Sequence, residues 1–180
     1  MELTANDLVD FPATMAFLAY RDEMADFVPY LENVERIEVR SRKEPGPGLI
    51  ELHNVWFLKA SIPVILKPVI SEDKLCWDDY ALWNEPGLFC TWKLETAFLR
   101  ENIKVTGRTS FEAKNEQSCT MSVAVKVDIN LDNIRAIPSF LKGKAITAAE
   151  RFLTALLMPN LKGVNKSLNA YLKDTHGARP

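Results

Sequence analysis

The sequence predicts an α+β fold, in which a curved antiparallel β-sheet wraps around one long C-terminal α-helix and two short helices follow the first strand. The first observation is an alanine-rich amphipathic segment from Ala145 to about Leu172. The second is a series of preceding segments in which apolar and polar residues alternate, which is typical of strands with one buried face. Because such a sheet and helix enclose a space between them, the pattern favours a protein that holds an apolar molecule.

The chain is predicted to begin with a strand followed by two short helices. The strand covers residues 2–11 and ends at Pro12, a residue that the first turn of a helix tolerates. Within residues 13–27 the apolar side chains recur at helical spacing, and the charged ones lie on the other side. Pro29 interrupts this pattern, so a second short helix or turn is expected over residues 28–33.

A hairpin and an apolar segment with two prolines are predicted next. The strand over residues 34–39 leads through a charged turn, residues 40–48, into a second strand over residues 49–58. Residues 62–70, IPVILKPVI, are apolar, but their two prolines exclude a regular central strand. We interpret this segment as an edge strand or as a loop that covers the cavity, where it is a candidate for transient contact with a membrane.

Four consecutive strands are predicted to form an antiparallel meander. In each of them alternate positions are apolar, so one face of the meander is expected to be buried. Short turns with suitable residues join them. The four strands span residues 75–84, 88–100, 103–111 and 121–129.

The long helix is predicted to follow a short linker, residues 137–140, and Gly143. Pro159 lies within the helical segment and is expected to kink or split it. Residues 1–174 are expected to form a single domain, and residues 175–180 a frayed tail. The buried stripe of the helix is predicted to consist of Ile146, Ala149, Phe152, Leu153, Leu156, Leu157, Val164, Leu168 and Tyr171.

Composition and charge indicate an ordinary globular protein. The 180 residues are 47% hydrophobic and 26% charged, and with a formal net charge of −2 no basic excess favours nucleic acid or an anionic membrane surface. The N-terminus lacks the basic and apolar regions of a signal peptide, and no stretch approaches the ~20 apolar residues that span a bilayer. We therefore expect a cytoplasmic protein with no nucleic-acid partner and no transmembrane segment.

Residues typical of metal, disulfide or nucleophilic chemistry are few. The cysteines Cys76, Cys90 and Cys119 lack C-x-x-C spacing, and the histidines His53 and His176 lack H-x-x-x-H spacing. Neither a G-x-S-x-G motif nor a glycine-rich phosphate loop occurs. The sequence therefore predicts no metal site, no cofactor and no disulfide framework, and it favours binding over catalysis.

The order of the predicted elements and two local segments carry a family resemblance. The segments are F-V-P-Y-L-E-N-V-E-R-I-E-V, residues 27–39, and I-P-S-F-L-K-G-K-A, residues 137–145. Over nearly its whole length the chain resembles the START-related (SRPBCC) superfamily of helix-grip proteins, which includes lipid-transfer domains, pollen allergens, coenzyme Q-binding chaperones and polyketide aromatase/cyclases. The segments look most like the coenzyme Q-binding and cyclase-like members. The resemblance implies a cavity between the concave face of the sheet and the last helix.

Small and aromatic side chains are the candidates for lining such a cavity. Four alanines of the last helix, at positions 145, 148, 149 and 155, leave room if they face the sheet, although high helix propensity and close packing explain them equally well. The tryptophans can hold a ring or an acyl chain, or they can fill the core. The residues predicted to bind the ligand are Trp77, Asp79, Trp83, Trp92, Leu94, Phe98, Ala149, Phe152 and Leu156.

Two titratable residues are candidates for chemistry. Asp79 shares a strand face with Trp77 and Trp83, and a lone carboxylate in the cavity would have a raised pKa and could bind or protonate a ligand. Alternatively, it pairs with Arg108 on a neighbouring strand, or its face is outward. His53 is a general base or a ligand hydrogen-bonder if it faces the cavity, and otherwise a solvent-facing or structural histidine, because both faces of its strand are partly apolar.

Three functions are compatible with the sequence. The first is non-catalytic binding or transport of a hydrophobic small molecule, such as a lipid, an isoprenoid quinone or a polyketide-like compound. The second is a polyketide cyclase or dehydratase that uses Asp79, His53 or Tyr80 as acid or base. The third is a protein-interaction module similar to chaperone activators, which predicts a filled core and an exposed apolar patch. A pocket of roughly 300–1,000 Å³ would favour the first two functions.

Overall fold

The computed structural model describes residues 1–68, 70–71, 75–98, 100–130 and 138–177, without the side chains of residues 157–165. Short 3-10 helices span Met24–Tyr30, Val64–Leu66 and Ser139–Leu141. The strands and α-helices are β1 (Glu2–Val9), α1 (Ala13–Asp22), β2 (Val34–Gly46), β3 (Leu49–Leu58), β4 (Cys76–Asn84), β5 (Phe89–Thr96), β6 (Ile103–Asn115), β7 (Ser118–Ile129) and α2 (Lys142–His176).

The strands of the described ranges form one seven-stranded sheet in the order β1-β7-β6-β5-β4-β3-β2, and every neighbouring pair is antiparallel. The predicted fold class and the meander from β4 to β7 are confirmed. The predicted turn over residues 40–48 is wrong in its extent, because most of it continues β2. Residues 41–43 pair with residues 51–53, and only Pro47 and Gly48 form the turn.

The proline-containing segment after β3 is a loop and not an edge strand. It contains one turn of 3-10 helix, and position 69 lies outside the described residues. Ile62, Leu66 and Ile70 are buried against the core, whereas the side chain of Val64 is 81% exposed. Within the described residues, the segment therefore packs onto the molecule through side chains four positions apart and presents one large apolar residue, Val64, to solvent.

The C-terminal helix α2 is one element from Lys142 to His176, so the split expected at Pro159 does not occur. The predicted stripe is buried at Ala149, Phe152, Leu153, Leu156, Leu168 and Tyr171, whereas Ile146 is half-buried and the side chains of Leu157 and Val164 lie outside the described set. Position 137 of the linker and positions 178–180 of the tail lie outside the described residues as well. The division into a domain 1–174 and a frayed tail stays a prediction, although residues 175 and 176 belong to the helix.

Aromatic side chains join the helices to the concave face of the sheet. The ring of Phe17 on α1 meets Trp83 edge-on at 5.3 Å and Phe111 at 5.9 Å. Phe27, in the 3-10 helix after α1, packs on Tyr171 of α2 with 4.6 Å between ring centroids. These contacts place α1 over one end of the sheet, directly above the strands that carry the candidate site. Within the described residues, no helix is both long enough and apolar enough to cross a membrane.

Candidate functional site

The inner face of the sheet is built from every second residue of β3 and β4. On β4 this face carries Trp77, Asp79 and Trp83, as the alternation predicts, and the two tryptophans are almost completely buried. The antiparallel register places Asn54 of β3 directly opposite Asp79, and Trp56 opposite Trp77. A carboxylate and an amide therefore lie side by side among large aromatic side chains.

A cavity of about 80 Å³ lies between this face and the first helical segment. Its floor comes from the central strands, and its cover comes from Tyr20 and Met24. The residues predicted to bind the ligand that do line it are Trp77, Asp79, Trp83, Trp92 and Leu94. The lining residues that the sequence analysis did not select are Tyr20, Met24, Asn54, Trp56, Ala81, Cys90, Thr109 and Val123.

The other predicted pocket residues, on α2 and in the loop after β5, lie outside this cavity. Phe98 and Phe152 pack on each other with 6.4 Å between ring centroids, and Ala149 and Leu156 are buried in the core. These side chains fill the space between α2 and the sheet, so the remaining space is shifted towards α1. A ligand-binding role for them stays a prediction.

The alanines of α2 do not open the cavity either. Ala145 and Ala149 are buried in close packing, which is the alternative that the sequence left open. Ala148 and Ala155 instead border an open groove of about 660 Å³ between α2 and the loop at Ser61. High helix propensity and close packing account for the buried pair.

Four buried polar atoms in the cavity wall have no hydrogen-bond partner. They are the indole N–H groups of Trp56 and Trp83, Oδ1 of Asn54 and Oδ1 of Asp79. Within the described residues these are the unpartnered buried side-chain atoms, and all four residues line the same cavity. Because a native structure leaves few buried polar groups unpaired, their concentration at one place indicates a site that something else completes.

Burial raises the pKa of Asp79 from 3.8 to about 7. Removal of the carboxylate from water is the main cause, and the neighbouring Trp56 and Asn54 oppose the increase without offsetting it. Both side chains act as hydrogen-bond donors towards the carboxylate, although the Trp56 N–H and Oδ1 of Asp79 lie outside the geometry of a regular hydrogen bond. Asp79 consequently changes its protonation state near neutral pH, as expected for a lone carboxylate in a cavity.

Burial also keeps two neighbouring groups of the cavity protonated. It raises the pKa of the Tyr20 hydroxyl and of the Cys90 thiol, and the nearby Asp79 raises both further. Neither group is an ionised nucleophile or base at neutral pH. Among the described residues that line the cavity, Asp79 is therefore the one group that titrates in the physiological range.

A glycine allows one wall of the cavity to form. Gly107 of β6 lies opposite Trp92 of β5, whose indole ring covers it and donates a hydrogen bond from Nε1 to Thr109 Oγ1 at 3.0 Å. A Cβ atom at position 107 would lie 2.2 Å from Cζ2 of that ring. Any side chain there would therefore displace Trp92.

His53 and Tyr80 do not line the cavity, so the role of acid or base in it does not apply to them, and His53 follows the solvent-facing or structural alternative that the sequence left open. Both lie on the outer face of the sheet, where their rings stack at 4.3 Å. His53 Nε2 shares a hydrogen bond with Asp78 Oδ1 at 2.6 Å, and Lys93 lies over the Tyr80 ring. The alternation of β3 did not show which face was buried, but its pairing with β4 does.

The alternative ion pair between Asp79 and Arg108 is also wrong. Arg108 lies on the outer face of β6, and its guanidinium packs over the ring of Phe89 at 3.7 Å. The sheet separates the two charges. Among the described residues, no group of three histidine, cysteine or acidic side chains could hold a metal ion.

No protein-family model and no curated protein matches the sequence. Several solved structures are similar. An aromatase/cyclase from a Streptomyces species has a TM-score of 0.65 at 10% identity, with 100% of this chain and 99% of that chain covered. The helix-grip fold is therefore established. Norcoclaurine synthase from Thalictrum flavum, in complex with dopamine and hydroxybenzaldehyde, has a TM-score of 0.61 at 10% identity, over 99% and 89% of the two chains.

A START superfamily protein from Mycobacterium smegmatis shares the helix-grip fold as well, with a TM-score of 0.50 at 12% identity over 97% and 98% of the two chains. The fold implied by the sequence resemblance to the START-related superfamily is thus confirmed. Identities of 10–12% concern the fold alone, so the function has to be argued from the cavity.

Proposed function

We propose that this helix-grip protein binds a small hydrophobic molecule and holds a polar group of that molecule in the cavity between strands β3 to β7 and the residues Tyr20 and Met24. The observation that carries the proposal is that the four unpartnered buried polar atoms of the described residues all line this cavity. An unpaired buried donor or acceptor costs about 1–3 kcal/mol. A ligand that pairs with several of them recovers that cost on binding.

The remaining walls suit an apolar ligand. Trp77, Trp92 and Leu94 present aromatic and aliphatic surface, and no charged side chain other than Asp79 lines the cavity among the described residues. The volume of about 80 Å³ is below the roughly 300–1,000 Å³ of pockets that enclose a drug-sized ligand. The cavity therefore takes the polar end of a ligand, and a larger body requires displacement of the cover.

Met24 is the part of the cover best suited to move. Its side chain is buried at the edge of the cavity and is unbranched, so it can adopt other conformations at low cost. Lipids, isoprenoid quinones and polyketide-like compounds all combine an apolar body with a polar end, and they remain the ligand classes that we propose. We also propose a cytoplasmic location and transient membrane contact, the latter supported by the exposed side chain of Val64.

Acid–base chemistry in the same cavity is a second candidate function. It is supported by the pKa of Asp79, raised by burial to about 7, which lets this group both donate and accept a proton near neutral pH. Catalysis of this kind needs a reacting atom of the ligand beside the carboxylate. Asn54 and Trp56 would then orient the ligand through hydrogen bonds.

Native mass spectrometry of protein purified gently from its own host tests the binding function. We expect a mass increase that corresponds to one bound small molecule, which organic extraction then releases for identification. Incubation of the extracted compound with fresh protein tests the second candidate, because catalysis would change the mass of the compound and binding would not. An apo mass that takes up no added lipid, quinone or aromatic compound would contradict the proposal.

A further inference from the structure

We infer that the polar group bound in the cavity is a neutral hydroxyl, of an alcohol or a phenol, and not an anion, an amine or a carbonyl. This inference rests on the proposed binding function and specifies the chemistry of the ligand. It follows from the types of the unpartnered atoms, from the charges that line the cavity, and from the groups already paired.

The unpartnered atoms comprise donors and acceptors in equal number. The indole N–H groups of Trp56 and Trp83 only donate, whereas Oδ1 of Asn54 accepts and Oδ1 of an ionised Asp79 accepts. Trp92 Nε1 is not available to a ligand because it already donates to Thr109. A hydroxyl group both accepts and donates, so it pairs with both kinds of atom, whereas an anion, an ammonium group or a carbonyl pairs with only one kind.

An anionic group does not match this site. No arginine, lysine or histidine lines the cavity in the described part of the chain, so a carboxylate or phosphate would be buried without a counter-charge. It would also lie near the carboxylate of Asp79. Two like charges at one buried site disfavour each other strongly.

An amine or a carbonyl pairs with only one of the two kinds of unpartnered atom, the acceptors or the donors. An ammonium group donates to Asn54 and Asp79 but leaves the N–H groups of Trp56 and Trp83 unpaired. A carbonyl accepts from an indole N–H but gives nothing to Asn54, and it pairs with Asp79 only while that carboxyl is protonated. Because the pKa of Asp79 is raised by burial to about 7, carbonyl binding would weaken above that pH, whereas hydroxyl binding would persist.

Four small aromatic probes of similar shape separate these possibilities. We would titrate p-cresol, p-xylene, 4-methylbenzaldehyde and 4-methylbenzoate into the protein by isothermal calorimetry at pH 6 and pH 8.5. We expect p-cresol to bind about tenfold more tightly than p-xylene at both pH values, which corresponds to one or two net hydrogen bonds. We expect 4-methylbenzoate to bind more weakly than p-xylene.

Two variants locate the effect in the cavity. Trp83→Phe removes one indole N–H and keeps an aromatic ring, and Trp56→Phe does the same on β3. Each should lower the affinity for p-cresol about three- to tenfold and leave that for p-xylene nearly unchanged. A structural defect would lower both affinities together, so the ratio of the two reports the hydrogen bond even if one of the variants folds poorly.

The outcomes distinguish this inference from the function on which it rests. Equal affinities for p-cresol and p-xylene would overturn the hydroxyl inference and leave the binding function intact. Tightest binding of 4-methylbenzoate, or of the aldehyde at pH 6 with loss at pH 8.5, would overturn it in favour of an anion or a carbonyl. Failure of all four probes to bind would count against the binding function itself.

Discussion

Replacement of Asp79 by asparagine should make the protein more stable at pH 8. Burial raises the pKa of Asp79 from 3.8 to about 7, so the folded state binds the proton more tightly than the unfolded chain does. Each unit of difference in pKa corresponds to about 1.4 kcal/mol. Because the residue keeps some exposure to solvent, we expect a gain of about 2–4 kcal/mol, which raises the Tm by about 5–15 °C in a chain of this size.

The dependence of the unfolding free energy on pH shows the direction in which Asp79 affects stability. In the wild-type protein the free energy of unfolding should fall as the pH rises from about 4 to about 7, because over this range the folded state keeps a proton that the unfolded chain has already released. The Asp79→Asn variant should lack this decline. Asp128→Asn, at an exposed position of β7, is the control and should leave the profile unchanged. If chemical denaturation gives the same dependence of unfolding free energy on pH for the wild type and for Asp79→Asn, Asp79 is not a desolvated carboxylate.

Replacement of Gly107 by alanine should destabilise the protein and close the cavity to ligands. The new Cβ atom would lie 2.2 Å from Cζ2 of Trp92, so the indole must rotate and lose its hydrogen bond to Thr109. Forcing extra volume into a packed wall costs about 1–3 kcal/mol. We expect that loss of stability in chemical denaturation, together with a loss of p-cresol affinity of at least about tenfold in calorimetry.

Gly143→Ala is the matched control for this substitution. A Cβ atom at Gly143 meets nothing within 4 Å, and the residue lies in α2, where alanine is favoured over glycine by about 1 kcal/mol. The same chemical change should therefore stabilise the protein slightly and leave ligand binding unaffected. Wild-type affinity and stability in Gly107→Ala would mean that Trp92 does not form the cavity wall described above.

The predictions for Asp79 and Gly107 both concern the cavity whose wall contains the buried polar atoms. A protein selected only for stability would pair or remove Asp79 and the indole N–H groups beside it. Their presence in the described core costs stability, and that cost is recovered when a ligand supplies partners. We therefore expect Asp79→Asn to gain stability and to alter ligand affinity at the same time.

The fold could be predicted from the sequence because the residue patterns that indicate its strands and its last helix are local. Alternation over residues 75–84 and 121–129 predicted the strands, although it left open which face of residues 75–84 was buried, and the amphipathic pattern after Gly143 predicted the last helix. The bounds of β2 were missed because tertiary pairing with β3 overrides the turn propensity of its glycines and prolines. Pro159 was expected to kink or split α2, and the split does not occur, because the helix continues through that position.

Only part of the candidate site could be predicted from the sequence, because several of its residues are brought together by contacts between elements that are distant in the chain. Trp77, Asp79 and Trp83 follow from the alternation of a single strand. Asn54 and Trp56 depend on the register between β3 and β4, and Tyr20 depends on how α1 lies over the sheet. Those are long-range relationships, which no local pattern encodes. The residues of α2 were selected on the expectation of a larger cavity, whereas Phe98 and Phe152 fill that space.

A crystal structure of the protein grown with saturating p-cresol would show directly whether the buried polar atoms bind a hydroxyl group. We expect one p-cresol molecule in the cavity, with its hydroxyl within hydrogen-bond distance of Asp79 or Asn54 and of at least one of the Trp56 and Trp83 indole N–H groups. A cavity that contains only ordered waters on these four atoms, in crystals grown with saturating p-cresol, would contradict it. Those waters would then be permanent partners of the polar atoms, and the site would be a hydrated part of the core.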